Sequence, residues 1–189
     1  NYLGVAIGFF TTFFVLVRYL TPEEIGLTRV ILDAAVLLAG LSQLGTGSST
    51  MRFFPYFKDE KNKDNGFFFW TLIIPLVGFV IFTLLFFLFK QPVCDFFQEK
   101  SPLFVDYYHL VVPIAFWMLY NTVFECNASV LERIAVPRFI KEVGCRIFLL
   151  VLYLLYGFKV ISFESVLEGF AIIYFLCTLL NIGYLISLK

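Results

Sequence analysis

Long apolar runs alternate with short polar segments along the whole chain. A helix that crosses the hydrocarbon core of a bilayer needs roughly 20 mostly apolar residues. Runs of this kind predict an all-α, polytopic membrane protein whose single bundle has about six spans, at residues 2–20, 27–54, 67–89, 107–131, 139–158 and 166–188. The fifth run is the least apolar, so Arg146 or Lys159 must reach the interface from its ends.

The connections contain the residues that start and stop helices. Thr21 predicts an N-cap and Pro22 the first residue of the second helix. Residues 58–65 form a charged, hydrophilic connection. Residues 90–102 are either a plain loop or a short helix in the membrane interface, because apolar side chains recur there at nearly helical spacing, namely Val93, Phe96 and Phe97.

Composition excludes a soluble domain. Hydrophobic residues make up 60% of the chain and charged residues only 15%, whereas about a quarter of a typical globular domain is charged. The formal net charge of zero gives no reason to expect a nucleic-acid partner. Apolar sequence starts beside Asn1 and continues to Lys189, so we expect a piece of a longer protein. A cleaved signal peptide fits this start poorly.

Lysine and arginine predict the orientation in the membrane, because cytoplasmic connections carry the excess. A cytoplasmic start places the larger set inside: Arg52, Lys58, Lys61, Lys63, Arg133, Arg138, Lys141, Arg146 and Lys189. The smaller set is then outside: Arg18, Arg29, Lys90, Lys100 and Lys159. Both ends of the chain are therefore expected in the cytoplasm.

The second span has a polar face with small residues. Its members recur at spacings of three or four and are Asp33, Leu37, Gly40, Gln43 and Gly47. A charge at membrane depth costs about 2.5 to 3.5 kcal/mol on insertion scales, so such residues usually face a partner or an aqueous cavity. Asp33 and Gln43 are therefore candidates to line a substrate cavity. The alternative for Asp33 is that it only reaches the outer interface.

Two further spans repeat this pattern. Asn121 and Glu125 follow Trp117 at intervals of four residues, and Asn181 shares a face with Tyr174 and Thr178. We include Asn121, Glu125 and Asn181 among the cavity candidates and expect the polar faces of the second and fourth spans to converge. The alternative for Glu125 is a structural ion pair with Arg133 or Arg146. The phenylalanine-rich third span is expected to face lipid.

Other motifs favour packing over chemistry. Gly4 and Gly8 form a GxxxG pattern that lets another helix approach closely. Pro75 and Pro113 lie inside predicted spans and indicate either static kinks or helices broken around a cavity. The cysteines are widely spaced and, with His109, make neither a metal site nor a catalytic group probable; they are Cys94, Cys126, Cys145 and Cys177. We expect no metal and no enzymatic activity.

Three segments resemble the polysaccharide-biosynthesis, O-antigen-type flippases of the multidrug/oligosaccharidyl-lipid/polysaccharide exporter superfamily. Residues 17–27, VRYLTPEEIGL, resemble the turn after that family's first helix. Residues 44–55 are similar to the end of its second helix, with an arginine, aromatic and proline cluster at residues 52–55. The basic turn at residues 133–138 is similar to the connection between its fourth and fifth helices.

The resemblance implies one lobe of a two-lobed transporter in the bacterial inner membrane. The substrate implied is a polyprenyl-diphosphate-linked oligosaccharide for lipopolysaccharide or another surface polysaccharide, and the expected partners are the bilayer and a C-terminal second lobe. Arg18, Arg29 and Arg52 become candidates to contact the diphosphate, with interfacial anchoring as the alternative for Arg18 and Arg29. No cofactor is expected, although coupling to sodium or protons stays open.

Two alternative functions remain at this point. One is a cation-coupled multidrug exporter of the same superfamily, in which Asp33 would serve as the coupling carboxylate. The turn at residues 21–26, TPEEIG, favours the polysaccharide branch. The other alternative is a membrane scaffold subunit of a glycan-synthesis complex that transports nothing itself. If the chain is one lobe, it should insert into a membrane but not move lipid-linked sugar alone.

The orientation can be tested by cysteine accessibility in intact cells. A cysteine introduced at Asn62 should be shielded from an impermeant thiol reagent, because the basic asymmetry places this connection in the cytoplasm. A cysteine at Ser101 should be labelled. Equal labelling at the two positions would overturn the predicted topology.

Overall fold

A computed structural model describes residues 2–59, 63–98 and 102–187, and within these ranges the chain is helical and contains no strand. This confirms the predicted all-α class. Five stretches are long and apolar enough to cross a membrane: Tyr2–Tyr19, Pro22–Phe57, Asp64–Leu88, Phe104–Val130 and Phe163–Ser187. The chain is therefore a multi-pass membrane protein.

The helices are numbered here in chain order. The first four are α1 at Tyr2–Tyr19, α2 at Pro22–Ser42, α3 at Thr46–Phe57 and α4 at Phe67–Leu88. Two short helices follow, α5 at Lys90–Gln98 and α6 at Pro102–Tyr107. The last three are α7 at Val111–Val130, α8 over residues 135–157 and α9 at Phe163–Ser187.

The predicted fifth span corresponds to α8, which is not among the five apolar stretches. Lys141, Glu142 and Arg146 lie in its first half and make that half polar. The helix still packs within the bundle, against α1 and α9. A sixth crossing of the membrane by α8 therefore stays a prediction.

The predicted second span is two helices instead of one. Thr21 caps α2 as expected, since its hydroxyl accepts from the Glu24 N–H at 3.3 Å and Pro22 is the first helical residue. An unbroken helix over residues 27–54 is wrong, however, because α2 ends at Ser42 and α3 begins at Thr46. Leu44 (φ 49°) and Gly45 (φ 74°) adopt the left-handed conformation between them. Glycine accepts this conformation without steric cost, whereas leucine does not.

Residues Lys90–Gln98 of the connection after α4 are helical, which agrees with the short-helix interpretation and not with a plain loop there. The side chains of Phe96 and Phe97 lie outside the described part of the chain, and the location of α5 in the interface remains a prediction. Residues 60–62 of the charged connection, with Asn62, are also outside it. So is Ser101.

The two prolines do not break their helices. α4 continues through Pro75. Pro113 is in the first turn of α7, where a missing N–H costs little, and the turn before it, Tyr108–Leu110, is a 3-10 helix. Neither proline therefore supports the broken-helix alternative.

α7 is the central helix of the bundle. It contacts α2, α3, α4, α8 and α9. α4 lies at the edge and turns its smaller residues Thr71, Pro75 and Gly78 inward. Its opposite face is exposed and apolar, with Phe69, Trp70, Ile74, Val77, Ile81 and Leu84. This face has the composition expected for contact with lipid.

Glycines set the closest approaches between helices. A Cβ on Gly4 would lie 2.7 Å from the Glu142 carbonyl oxygen, and one on Gly8 would lie 3.0 Å from the Arg146 guanidinium. The GxxxG pattern of α1 is therefore the surface on which α8 packs, as predicted. On α4, a Cβ at Gly78 would lie 2.2 Å from the Ser42 carbonyl oxygen, at the end of α2.

The contact at Gly78 can be tested by adding one methyl group. Gly78→Ala should lower the free energy of unfolding by about 1 to 3 kcal/mol, because the new Cβ meets backbone that cannot move aside. Gly26→Ala is the matched control, since its Cβ would meet nothing within 4 Å and alanine favours the helix by up to about 1 kcal/mol. Thermal unfolding of the purified protein in detergent measures both. Equal thermal unfolding midpoints for Gly78→Ala and Gly26→Ala would contradict the close approach of α4 to the end of α2.

Candidate functional site

A polar cavity of about 420 Å³ opens between α2, α7, α8 and α9. Its polar lining residues are Gln43, Asn121, Thr122, Lys141, Glu142, Arg146 and Tyr174, and they lie among apolar lining residues that include Val36, Met118 and Leu119. Each comes from the inward face of its helix, and the bundle around them is mostly apolar. The cavity is therefore the place where polar groups of a ligand can be matched inside this protein.

Backbone irregularities set the edges of the cavity. Gln43 is the last residue before the left-handed turn that ends α2, and its N–H donates to the Ala39 carbonyl at 3.2 Å. In α8, residues Ile140–Gly144 form a π-helical turn. This wider turn contains Lys141 and Glu142 and ends two residues before Arg146. π turns are often found at functional sites.

Glu125 is paired with Lys141. The Lys141 Nζ lies 2.7 Å from the Glu125 carboxylate and 3.4 Å from the Thr122 hydroxyl. The alternative interpretation of Glu125 as a structural ion pair is thus correct in kind, but its predicted partners, Arg133 and Arg146, are not those observed. Arg133 is exposed on the connection after α7, and Arg146 is turned towards α1.

The polar faces of α7 and α9 meet as two buried asparagines. Asn181 Nδ2 donates to Asn121 Oδ1 at 3.1 Å, with 0% and 2% of the two residues exposed. One turn away, the Thr178 hydroxyl donates to the Trp117 carbonyl at 3.2 Å. The predicted face of Tyr174, Thr178 and Asn181 therefore packs on α7, and Asn121 and Tyr174 also reach the cavity.

Asp33 lies apart from this cavity. It is exposed and lines a second, apolar groove of about 500 Å³ with Leu37, Leu41, Phe82 and Phe86. The predicted stripe on α2 thus divides: its first half faces the apolar groove, and Gly40 and Gln43 face the polar cavity. Packed helices cross at an angle, so a single stripe meets different neighbours along its length. Asp33 and Glu125 therefore do not line the cavity that contains Gln43 and Asn121, and the expectation that all four face the bundle interior or a central cavity between two lobes stays a prediction.

The three arginines predicted to contact a diphosphate are exposed and widely separated. Arg18 is in the last turn of α1. Arg52 is on α3, beyond the turn that ends α2, whereas Arg29 is on α2 itself. Arg29 lines a small pocket of about 190 Å³ between α1, α2 and α8, together with Arg146.

Arg146 and Lys141 are the site residues that the sequence interpretation missed. The sequence interpretation assigned both residues to the cytoplasmic side. Together with Glu142, however, they make the start of α8 too polar to face lipid. In the structure Arg146 lines both the polar cavity and the Arg29 pocket, and its guanidinium donates to the Gly4 carbonyl. That partner is neutral, and within the described residues no carboxylate forms an ion pair with Arg146, although Glu142 lines the same cavity.

Two cysteines that are far apart in sequence are also adjacent. The Sγ atoms of Cys145 on α8 and Cys177 on α9 lie 2.7 Å apart, and both residues are buried beside Tyr174. His109 is exposed in the 3-10 turn before α7. Within the described ranges, no group of three or more His, Cys, Asp or Glu side chains is placed to hold a metal ion.

Comparison with known proteins gives one match. A family model described as "Polysaccharide biosynthesis protein" matches residues 2–188, which is nearly the whole chain. No curated protein and no solved structure matches it.

The ion pair between Glu125 and the cavity-lining Lys141 can be measured with a double-mutant cycle. Glu125→Gln and Lys141→Met should show an interaction energy of about 1 kcal/mol in unfolding experiments, because 17% of the Glu125 side chain is exposed. The exposed pair Arg138–Glu142, with N and O 3.1 Å apart, is the control and should give about 0.5 kcal/mol or less. Equal interaction energies for the two pairs would mean that burial does not strengthen the pair of Glu125 and Lys141.

Proposed function

Since this chain belongs to the polysaccharide biosynthesis protein family, we propose that it forms one lobe of a transporter that carries a polyprenyl-diphosphate-linked oligosaccharide across the bacterial cytoplasmic membrane. The cargo would serve the synthesis of a cell-surface polysaccharide of the O-antigen or lipopolysaccharide kind. The observation that carries the proposal is the position of Arg146, which lines two neighbouring pockets that both contain polar side chains within a largely apolar bundle.

The cavity offers polar contacts to a sugar that must cross the hydrocarbon core of the membrane. A sugar loses its hydrogen bonds to water when it enters hydrocarbon, and each unmet polar group costs several kcal/mol. Gln43, Asn121, Thr122 and Tyr174 offer replacement donors and acceptors along the cavity wall. The polyprenyl tail needs no such replacement and can remain in the bilayer.

Arg146 and Arg29 are the proposed contacts for the diphosphate. They line one small pocket, where the hydroxyl-bearing residues Thr11, Thr12 and Thr28 accompany them. A guanidinium binds phosphate oxygens in a bidentate manner, which an ammonium cannot do. Arg18 and Arg52 are outside this pocket, and we propose that they anchor the bundle at its interfaces.

The second lobe remains part of the proposal. The polar cavity lies between four helices of this bundle, and a second bundle would cover the side on which it opens. Both ends of the present chain would then lie in the cytoplasm, as the distribution of basic residues predicts. Closure between two lobes would let the cavity open to either side of the membrane in turn.

The intact protein in proteoliposomes can test this function. Transfer of a fluorescent polyprenyl-diphosphate-linked sugar between leaflets should fall about 10- to 100-fold in Arg146→Gln, because a charge-assisted contact to phosphate is lost. Arg52→Gln is the matched control and should remain within about twofold of the unsubstituted protein. Both variants must reach equal abundance in the liposomes. Transfer by Arg146→Gln at the rate of Arg52→Gln would contradict the proposal.

A further inference from the structure

The two glycines of the GxxxG pattern in α1 face different parts of α8. A Cβ on Gly4 would lie 2.7 Å from the Glu142 carbonyl oxygen, so Gly4 makes room for the backbone of α8. At Gly8 the three nearest atoms all belong to the Arg146 side chain, with Nη1 at 3.0 Å, Cζ at 3.6 Å and Cδ at 3.9 Å from the added Cβ. The space beside Gly8 is therefore filled by the Arg146 side chain and not by helix backbone.

This contact lies at the Arg29 pocket. Gly8 and Arg146 both line that pocket, so the side chain that fills the space beside Gly8 is also exposed to a ligand there. The Arg146 guanidinium donates to the Gly4 carbonyl as well, one helical turn before Gly8 on the same face of α1. α1 thus contacts the guanidinium at two points beside the pocket.

Holding the guanidinium in this way favours phosphate binding. A guanidinium has five N–H donors in a rigid fork, and the bond to the Gly4 carbonyl leaves other donors for a ligand. Bidentate contact with a phosphate requires that two of these N–H groups point at its oxygens together. Because the Arg146 side chain starts on α8 and its tip is held on α1, less rotamer freedom remains to be lost when a ligand binds.

We propose that Gly8 is a positioning residue for Arg146: the missing Cβ leaves the guanidinium at the edge of the Arg29 pocket, aligned for a diphosphate. This inference rests on the proposed function, because it deepens the role of Arg146 as a diphosphate contact. Gly8 acts through Arg146. The GxxxG pattern then has two roles, since Gly4 serves the packing of α1 on α8 and Gly8 serves the site.

Binding to the intact protein in nanodiscs tests this role with two probes, a polyprenyl diphosphate and the corresponding polyprenol. The polyprenol measures binding of the apolar tail alone. Gly8→Ala should raise the Kd for the diphosphate about fivefold to tenfold, because the new Cβ meets Nη1 at 3.0 Å and displaces the fork. The Kd for the polyprenol should remain within about twofold of its value in the unsubstituted protein.

The Arg146→Gln background separates positioning from helix packing. It removes the guanidinium, so adding Gly8→Ala should cause no further loss of diphosphate affinity. A glycine that served only packing would cause the same loss with and without the guanidinium. Gly26→Ala is the matched control, because its Cβ would meet nothing within 4 Å, and both of its Kd values should equal those of the unsubstituted protein.

The results distinguish this inference from the function on which it rests. An unchanged diphosphate Kd in Gly8→Ala, an equal change for both probes, or an equal loss in the Arg146→Gln background would overturn the role of Gly8 alone. Failure of Gly8→Ala to fold would also overturn it, since the space would then serve packing. Equal affinity of the unsubstituted protein for the diphosphate and the polyprenol would overturn the proposed function, and the role of Gly8 with it.

Discussion

The polar side of α7 is the constraint that holds the other helices in place. Helices in a bilayer gain little from hydrophobic burial against each other, so close packing and interhelical hydrogen bonds decide their arrangement. Two consecutive turns of α7 contact three different helices through polar groups. The Tyr120 hydroxyl donates to the Leu72 carbonyl of α4 at 3.2 Å, Asn121 accepts from Asn181 of α9, and Glu125 binds Lys141 of α8.

Small residues complete this arrangement at the periphery. Gly4 and Gly8 let α8 approach α1, so the Arg146 side chain lies across α1 instead of extending to an interface. Gly78 gives α4 room beside the end of α2, where the chain turns. The polar contacts around α7 select which helices meet, and the glycines set how closely they approach. The cavity is the space that remains between helices fixed in this way.

The sequence predicts those parts of the structure that depend on neighbouring residues in the chain. Hydropathy located the main apolar helices, and the Thr21 cap follows from its own turn. The π turn before Arg146 and the left-handed Leu44 could not be predicted in this way, because no residue type specifies them. The partner of Glu125 depends on how α8 packs, and Asp33 shares a helical face with Gln43 but meets other neighbours. Pattern alone therefore identified the polar residues without grouping them into sites.

The π turn of α8 has a consequence for insertions and deletions. Such a turn contains one residue more than a turn of α-helix. Removing a single residue from 140–144 would restore regular helix and rotate everything before it by about 100° relative to everything after it. Lys141 would then leave Glu125 while Arg146 kept its position. The length of this turn thus decides where the Lys141 ammonium lies. A homologue with one residue fewer in the turn would need its lysine at a different position in the sequence to form the same cavity wall.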